Sequence, residues 1–396
     1  MTTPLYLLEP FASAAWAPFT GVRPVSELRA GAWLIRERWE AAIGAPARAV
    51  LSPHLAGFVD TEGPPVIQPD GITGPAFIVR SQVVPPRTAL SFVRPSPEGD
   101  RLVRHLTARG ITVAWRLDPE EAWDGPDDLG ESMDVEAMAL EGTWQLIDLL
   151  ERLLPADCLE FTAAPADPVP PGSIVLGDPT HVVCLDAQVE PGVVFDTRSG
   201  PVVLTEGVEV RSGTRLEGPL FAGPRTRLLG GAIRHCSFGP ECRVHGEMAT
   251  SVMLGYANKS HDGFVGHSVI GQWVNLGAGT ITSNLKNTYG PVRLESANGR
   301  IETGRTFLGS LIGDHAKLGI GTLLGTGTLV GAGAQLTGNP VPRWVPPFSW
   351  TTADAPARLE LDAFLRIAGR VLPRRGIELT PEREQWLRGL HARLAR

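Results

Sequence analysis

Between residues 310 and 336 one pattern recurs without interruption: Ile312, Leu318, Leu324, Val330 and Leu336 stand six residues apart, and Gly313, Gly319, Gly325 and Gly331 follow the first four. Two positions before each aliphatic comes a small residue, Ser310, Ala316, Thr322, Thr328 or Ala334. A period of six suits neither an amphipathic helix nor a hairpin stack; it is the signature of a parallel β-helix. Each hexapeptide makes one short strand and one turn, and three of them close a triangular coil. A single coil cannot bury its aliphatics. Stacked coils bury them in a column and satisfy each strand's backbone above and below, while glycine and small residues relieve crowding at the corners. The expected architecture is a left-handed parallel β-helix.

The same spacing recurs in Phe264, Ile270 and Leu276, and more loosely in Leu204, Val210 and Leu216. The solenoid is therefore expected to begin near Ser173, after a proline-rich linker at 161–172, and to run to about Pro340. Residues 284–305 break the period. Alternating Val292 and Leu294 and the turn signal Asn298-Gly299 mark that stretch as a hairpin-like excursion. Gly (45) and Pro (35) make up a fifth of the chain, which demands frequent short turns.

Ahead of the linker, residues 1–160 mix strand-like runs (5–8, 76–79, 112–115) with helix-like ones (32–43, 143–154), the pattern of an α/β domain with a mostly parallel sheet. A phosphate cradle would be expected at a Gly-rich turn after the first strand. Glu9-Pro10-Phe11-Ala12-Ser13 stands there instead. The nearest basic groups are Arg23 and Arg29, which suit either a phosphate or structural ion pairs. Residues 341–396 read as a cap: aromatics among prolines, then Thr380-Pro381-Glu382 as N-cap, first-turn proline and early acid of a final helix. That helix is expected to cover the last coil or a neighbouring subunit.

A net charge of -7 with no Lys/Arg block argues against a nucleic-acid partner. No apolar run reaches the roughly 18 to 20 residues that span a bilayer, and no signal-like segment opens the sequence; a cytoplasmic location is expected. Cys158, Cys184, Cys236 and Cys242 suggest no disulfide framework. His235, Cys236, Cys242 and His245 lack the tight C-x-x-C pair of structural zinc sites, so no metal ligands are assigned.

Polar groups gather in 261–284. Acyl transfer from a thioester needs a base to take the acceptor's proton, and histidine titrates in the right range; His261 is the candidate. His267 and His315 fall at repeat corners and look ordinary. Asn275 fits either a ligand contact or a stack of polar side chains, and the repeat alone explains Ser310.

The run from Asn275 to Thr282 (N-L-G-A-G-T-I-T), with Asn284 two on and a histidine fourteen residues before Asn275, resembles the bifunctional N-acetylglucosamine-1-phosphate uridylyltransferase/glucosamine-1-phosphate acetyltransferase family. The resemblance implies that His261 is the acetyl-transfer base and that Asn275 and Asn284 hold the acceptor. It matches Glu247, fourteen before His261, to a substrate-site glutamate, and assigns Ser310 and Ala278 to acetyl-CoA. Where the family has a tyrosine and a lysine on the sugar phosphate, this chain has Phe264 and Ala249, so either the acceptor differs or others, such as Lys259 or Lys286, grip the phosphate. The N-terminal half resembles the family's nucleotidyltransferase domain in layout, with 20–40 in place of the Gly-rich loop. A homotrimer is implied, with acetyl-CoA as donor, a sugar phosphate or nucleotide sugar as acceptor, and Mg2+ if the first domain is active.

Three classes of function follow. The first is acyl-CoA-dependent transfer to an amino-sugar or sugar-phosphate acceptor with His261 as base. The second is a sugar-1-phosphate nucleotidyltransferase using Arg23 and Arg29, with the β-helix as an oligomerisation platform. The third is a non-catalytic sugar-nucleotide sensor.

Overall fold

A computed structural model describes residues 3–95, 97, 99–351 and 356–395. The first domain is built on a seven-stranded sheet in the order Ser132–Asp134, His105–Ala108, Ile111–Leu117, Ala76–Arg80, Leu5–Leu8, Ala47–Leu51, Val66–Ile67. Pairing is parallel except on the two sides of Ile111–Leu117, so the sheet is mostly parallel as its sequence predicts. Two helices accompany it, α1 (Ile35–Ile43) and α2 (Gln145–Thr162).

The chain then enters a long β-helix at Ile174–Leu176, whose three sheets hold eight, nine and ten strands, all parallel except Pro356–Arg358 at the edge of the third, which runs antiparallel to Ser349–Thr351. This is the left-handed solenoid that the hexapeptide period predicts. Ile270, Leu276, Ile312, Leu318, Leu324, Val330 and Leu336 form its inner column, all essentially inaccessible to solvent. One position differs from the sequence reading. Val265, not Phe264, joins the column, and Phe264 faces outward. The corner after that strand takes five residues, from Val265 to Ile270, as from Met248 to Met253 and from Ile233 to Phe238, against six from Ile270 to Leu276. His235, Thr250 and His267 turn this corner in successive coils with positive φ (51°, 47° and 50°).

A second apolar column explains how the two domains join. Val183, Val203, Phe221, Val252, Val269 and Leu311 point outward from one solenoid sheet, yet all are buried, packed in one core with Leu146, Ile147, Leu149 and Leu150 of α2. The excursion contributes too. Its hairpin, Arg293–Ser296 with Gly299–Glu302, turns at Asn298-Gly299, and Val292 and Leu294 bury themselves in the same interdomain core. Arg305 pairs with Asp148 of α2.

Stacking runs past Pro340, with Trp344–Val345 and Ser349–Thr351 adding further rungs. The tail is more helical than its single N-cap signal suggests: α3 (Leu361–Val371) precedes α4 (Pro381–Leu394), which Thr380 caps through the Arg383 N–H. Both helices bury apolar side chains against Phe348 and Ala332 of the last coils. They also meet Val22, Leu55 and Phe58 from loops that follow the first strands of the N-terminal sheet. Among the described residues no helix is long and apolar enough to cross a membrane.

Candidate functional site

The 257–274 coil carries the polar cluster. Asn258–Lys259 forms one strand, Phe264–Gly266 the next, and His261 stands exposed on the turn between them. Lys259 holds that turn. Its side chain is fully buried, and its Nζ donates to the carbonyl oxygens of His261 and, at 2.9 Å, of Asp262. Burial lowers the Lys259 ammonium below the usual lysine range, against the pull of Asp262. Lys259 is therefore not a free phosphate grip but a buried brace for the corner that presents His261. On the preceding coil, His245 Nδ1 stands 3.2 Å from the Asp262 carboxylate.

Asn275 pairs in register with Asn258 on one side and Lys317 on the other, forming a polar column of adjacent rungs. Asn258 Nδ2 donates to Asn275 Oδ1 at 3.3 Å. Asn284 lies where the excursion leaves the coil, and its amide Nδ2 stands 2.8 Å from Nδ1 of His267, not from His261. His267 also stacks on Phe307 at 5.3 Å between ring centroids. Burial, and secondarily Arg234, lowers its pKa, so the imidazole is neutral near pH 7. Gly266 leaves room for this pair: a Cβ there would meet Asn284 Nδ2 at 2.7 Å and the ring of Phe264, so one of the two side chains would have to shift. Sequence reasoning passed over His267 because its corner position looked structural; only the fold brings Asn284 to it.

The remaining candidates are distributed differently. Glu247 is exposed and pairs with Arg234 at 3.1 Å. Lys286 donates to the Pro291 carbonyl at 2.8 Å and so braces the excursion. Ala278 is half-buried, its carbonyl accepting from Gly321 N–H. Ser310 is fully buried, its Oγ without a hydrogen-bond partner, and it does not reach solvent within one chain.

Arg23 and Arg29 are also committed within the fold. Arg23 is 4% exposed and bridges Asp60 (3.1 Å) and Asp314 of the solenoid (2.8 Å). Arg29 is buried, donates to the Ala32 carbonyl and lies over the Phe221 ring at 5.6 Å. Neighbouring charges are used likewise: Arg36 pairs with Glu27 at 2.8 Å, and buried Arg38 pairs with Asp157. Gly31, at φ +68°, is required there, because a Cβ would fall onto the Asp157 carboxylate. These contacts make the 20–40 stretch a structural staple. At the end of the first strand, where a phosphate loop would begin, the Glu9 carboxyl accepts from Val25 N–H at 3.0 and 3.1 Å. Burial pushes it up to about 8, so it is mostly protonated at neutral pH. A protonated carboxyl is a poor Mg2+ ligand, and among the described residues no group of three or more His, Cys, Asp or Glu is disposed to hold a metal ion. Glu9, at the end of the first strand, therefore does not fit as a ligand to Mg2+.

Fold and site together define a mostly parallel α/β domain joined to a hexapeptide-repeat β-helix. Residues 6–164 match the family described as sugar nucleotidyl transferase. The chain is similar to the bifunctional sugar-1-phosphate nucleotidylyltransferase/acetyltransferase of Sulfurisphaera tokodaii, 33% identical over 161 residues, which are 37% of this chain and 40% of that protein. It is similar to the bifunctional protein GlmU of Methanocaldococcus jannaschii, 36% identical over 74 residues, 19% of this chain and 18% of that one. The GlmU of Jannaschia sp. is 31% identical over 121 residues, 29% of this chain and 25% of that protein. The matched part thus spans less than half the length of these relatives. The resemblance to the bifunctional family read from the sequence is borne out at this level.

Proposed function

We propose that the chain is an acyl-CoA-dependent transferase acting on an amino-sugar or sugar-phosphate acceptor, with His261 as general base. The observation that carries this reading is the presentation of His261: an exposed imidazole on a solenoid corner whose backbone is fixed by a fully buried lysine. A base must be reachable by the acceptor yet held in place, and this corner meets both requirements. Asn275, on the next rung, would contact the acceptor, with acetyl-CoA as donor along the groove between coils, near Ala278. Ser310 would meet a thioester only if the base of the excursion opened. Glu247 would act through Arg234, which it holds.

In solution we expect a cytoplasmic homotrimer. Ile281, Leu323 and Ile320 are 43%, 52% and 81% exposed on one solenoid flank, the kind of apolar strip a second copy would cover.

A second reading, sugar-1-phosphate nucleotidyl transfer by the first domain, is favoured by the family match over 6–164. The commitment of Arg23 to two carboxylates and of Arg29 to the core weighs against it. The test is thiol release from acetyl-CoA against a panel of amino-sugar phosphates and nucleotide sugars. Acceptor-dependent release supports acyl transfer. Silence there, together with Mg2+-dependent nucleotide turnover, would favour the second reading, and silence in both a non-catalytic sensor.

A further inference from the structure

We propose that the seam between the C-terminal tail and the solenoid's polar column is a binding site for the phosphate group of a small ligand. A cleft of about 230 Å³ opens there, lined by Asn258, Asn275 and Lys317 from three successive rungs, by Arg374 and Arg375 just after α3, and by Trp273. Among the described residues no carboxylate lines it. Glu241, beside Arg375 at 3.8 Å, already serves Arg225 at 2.9 Å and Arg243 at 3.0 Å. Arg374 is exposed, and among the described residues neither it nor Lys317 has a carboxylate within ion-pair distance. Four arginines, Arg225, Arg243, Arg374 and Arg375, thus gather around one carboxylate, with the Lys317 amine beside them. Like charges held this close repel, and a fold that keeps them together gains most when a dianion enters.

The donors are arranged for such a guest. Arg375 Nη2 donates to Asn258 Oδ1 at 2.6 Å, and Asn258 Nδ2 in turn donates to Asn275 Oδ1, so the Asn275 amide is oriented with its own N–H₂ unused among the described residues. Lys317 spends one proton on the Trp273 carbonyl and keeps two. One flank is apolar, Tyr256 stacked on Trp273 at 4.5 Å between centroids, and the volume exceeds what a bare phosphate fills. The guest is therefore a phosphate carrying a further group.

Burial holds the Lys317 ammonium down to about 7, and the neighbouring His315 is driven well below the usual histidine range, so it adds no competing charge. An anion beside Lys317 restores its proton, so binding near pH 7.5 takes up protons. The cleft shares Asn275 with the acyl-transfer groove but its occupancy does not depend on turnover.

Isothermal titration of the full chain with inorganic phosphate, a hexosamine 1-phosphate and coenzyme A, each in two buffers of different ionisation enthalpy, tests the proposal. Expected are binding with proton uptake, and a weakening of roughly tenfold or more in Arg374→Glu, at unchanged melting temperature, and in Arg375→Ala. Tighter binding of the hexosamine phosphate than of coenzyme A assigns the phosphate to an acceptor; the reverse assigns it to the acyl donor. Absence of binding by all three, or binding indifferent to both arginine variants, overturns the site whether or not the chain transfers acyl groups.

Discussion

Arg23 of the N-terminal domain donates through Nε to Asp314 Oδ2 of the solenoid at 2.9 Å, across 291 positions of sequence. Both side chains are buried, and Asp60 supplies a second carboxylate at 3.1 Å. The pair fixes the first domain to the β-helix through charge as well as through the shared apolar core.

Breaking that pair from one side leaves an uncompensated buried charge. Arg23→Met is expected to destabilise the protein by about 3–5 kcal/mol. Urea unfolding of wild type and variant measures it. A change below about 1 kcal/mol would mean that the bridge is energetically idle.

The neutral state of His267 makes the fold acid-sensitive in a defined direction. Its folded pKa is lowered, so the unfolded chain takes up the proton first: stability contributed above pH about 6.5 is lost as pH falls toward the lower folded value. Arg234→Gln removes the smaller of the two causes. The variant's His267 should titrate higher by NMR than the wild type's while remaining below the free value, because burial persists. No movement would show that Arg234 does not act on it.

Lys259→Met removes the brace under His261 and leaves two carbonyls without their donor. A stability loss of about 1–3 kcal/mol is expected. If His261 is the base, kcat should fall with little change in KM for the acceptor, and the pH profile should keep its shape, because the base is displaced and not replaced. A rise in KM alone would instead place Lys259 on the substrate.

The solenoid was legible because its information is local: each hexapeptide repeats the same inward aliphatic, the same small residue and the same turn. The excursion and the final helix were legible for the same reason, through Asn298-Gly299 and Thr380-Pro381. Phe264 was misplaced by one position because one corner of this coil uses five residues from Val265 to Ile270, a shortening that hydrophobicity alone does not mark when Phe and Val stand side by side. What the sequence could not show is partnership at a distance. Arg23 and Lys259 look like ligand grips until the fold supplies Asp314 for one and the corner carbonyls for the other. Likewise His267 gains its meaning from Asn284, and Arg374 and Arg375 from Lys317, only when the coils are stacked and the tail is laid upon them.

The proposed chemistry turns on His261, and comparing acceptor-dependent thiol release from acetyl-CoA in wild type and His261→Ala tests it most directly. The imidazole is exposed and its side chain makes no hydrogen bond among the described residues, so the variant should fold with an unchanged melting temperature. Turnover is predicted to drop by roughly a hundredfold or more. Turnover in the variant equal to that of the wild type would contradict the assignment of His261 as the base.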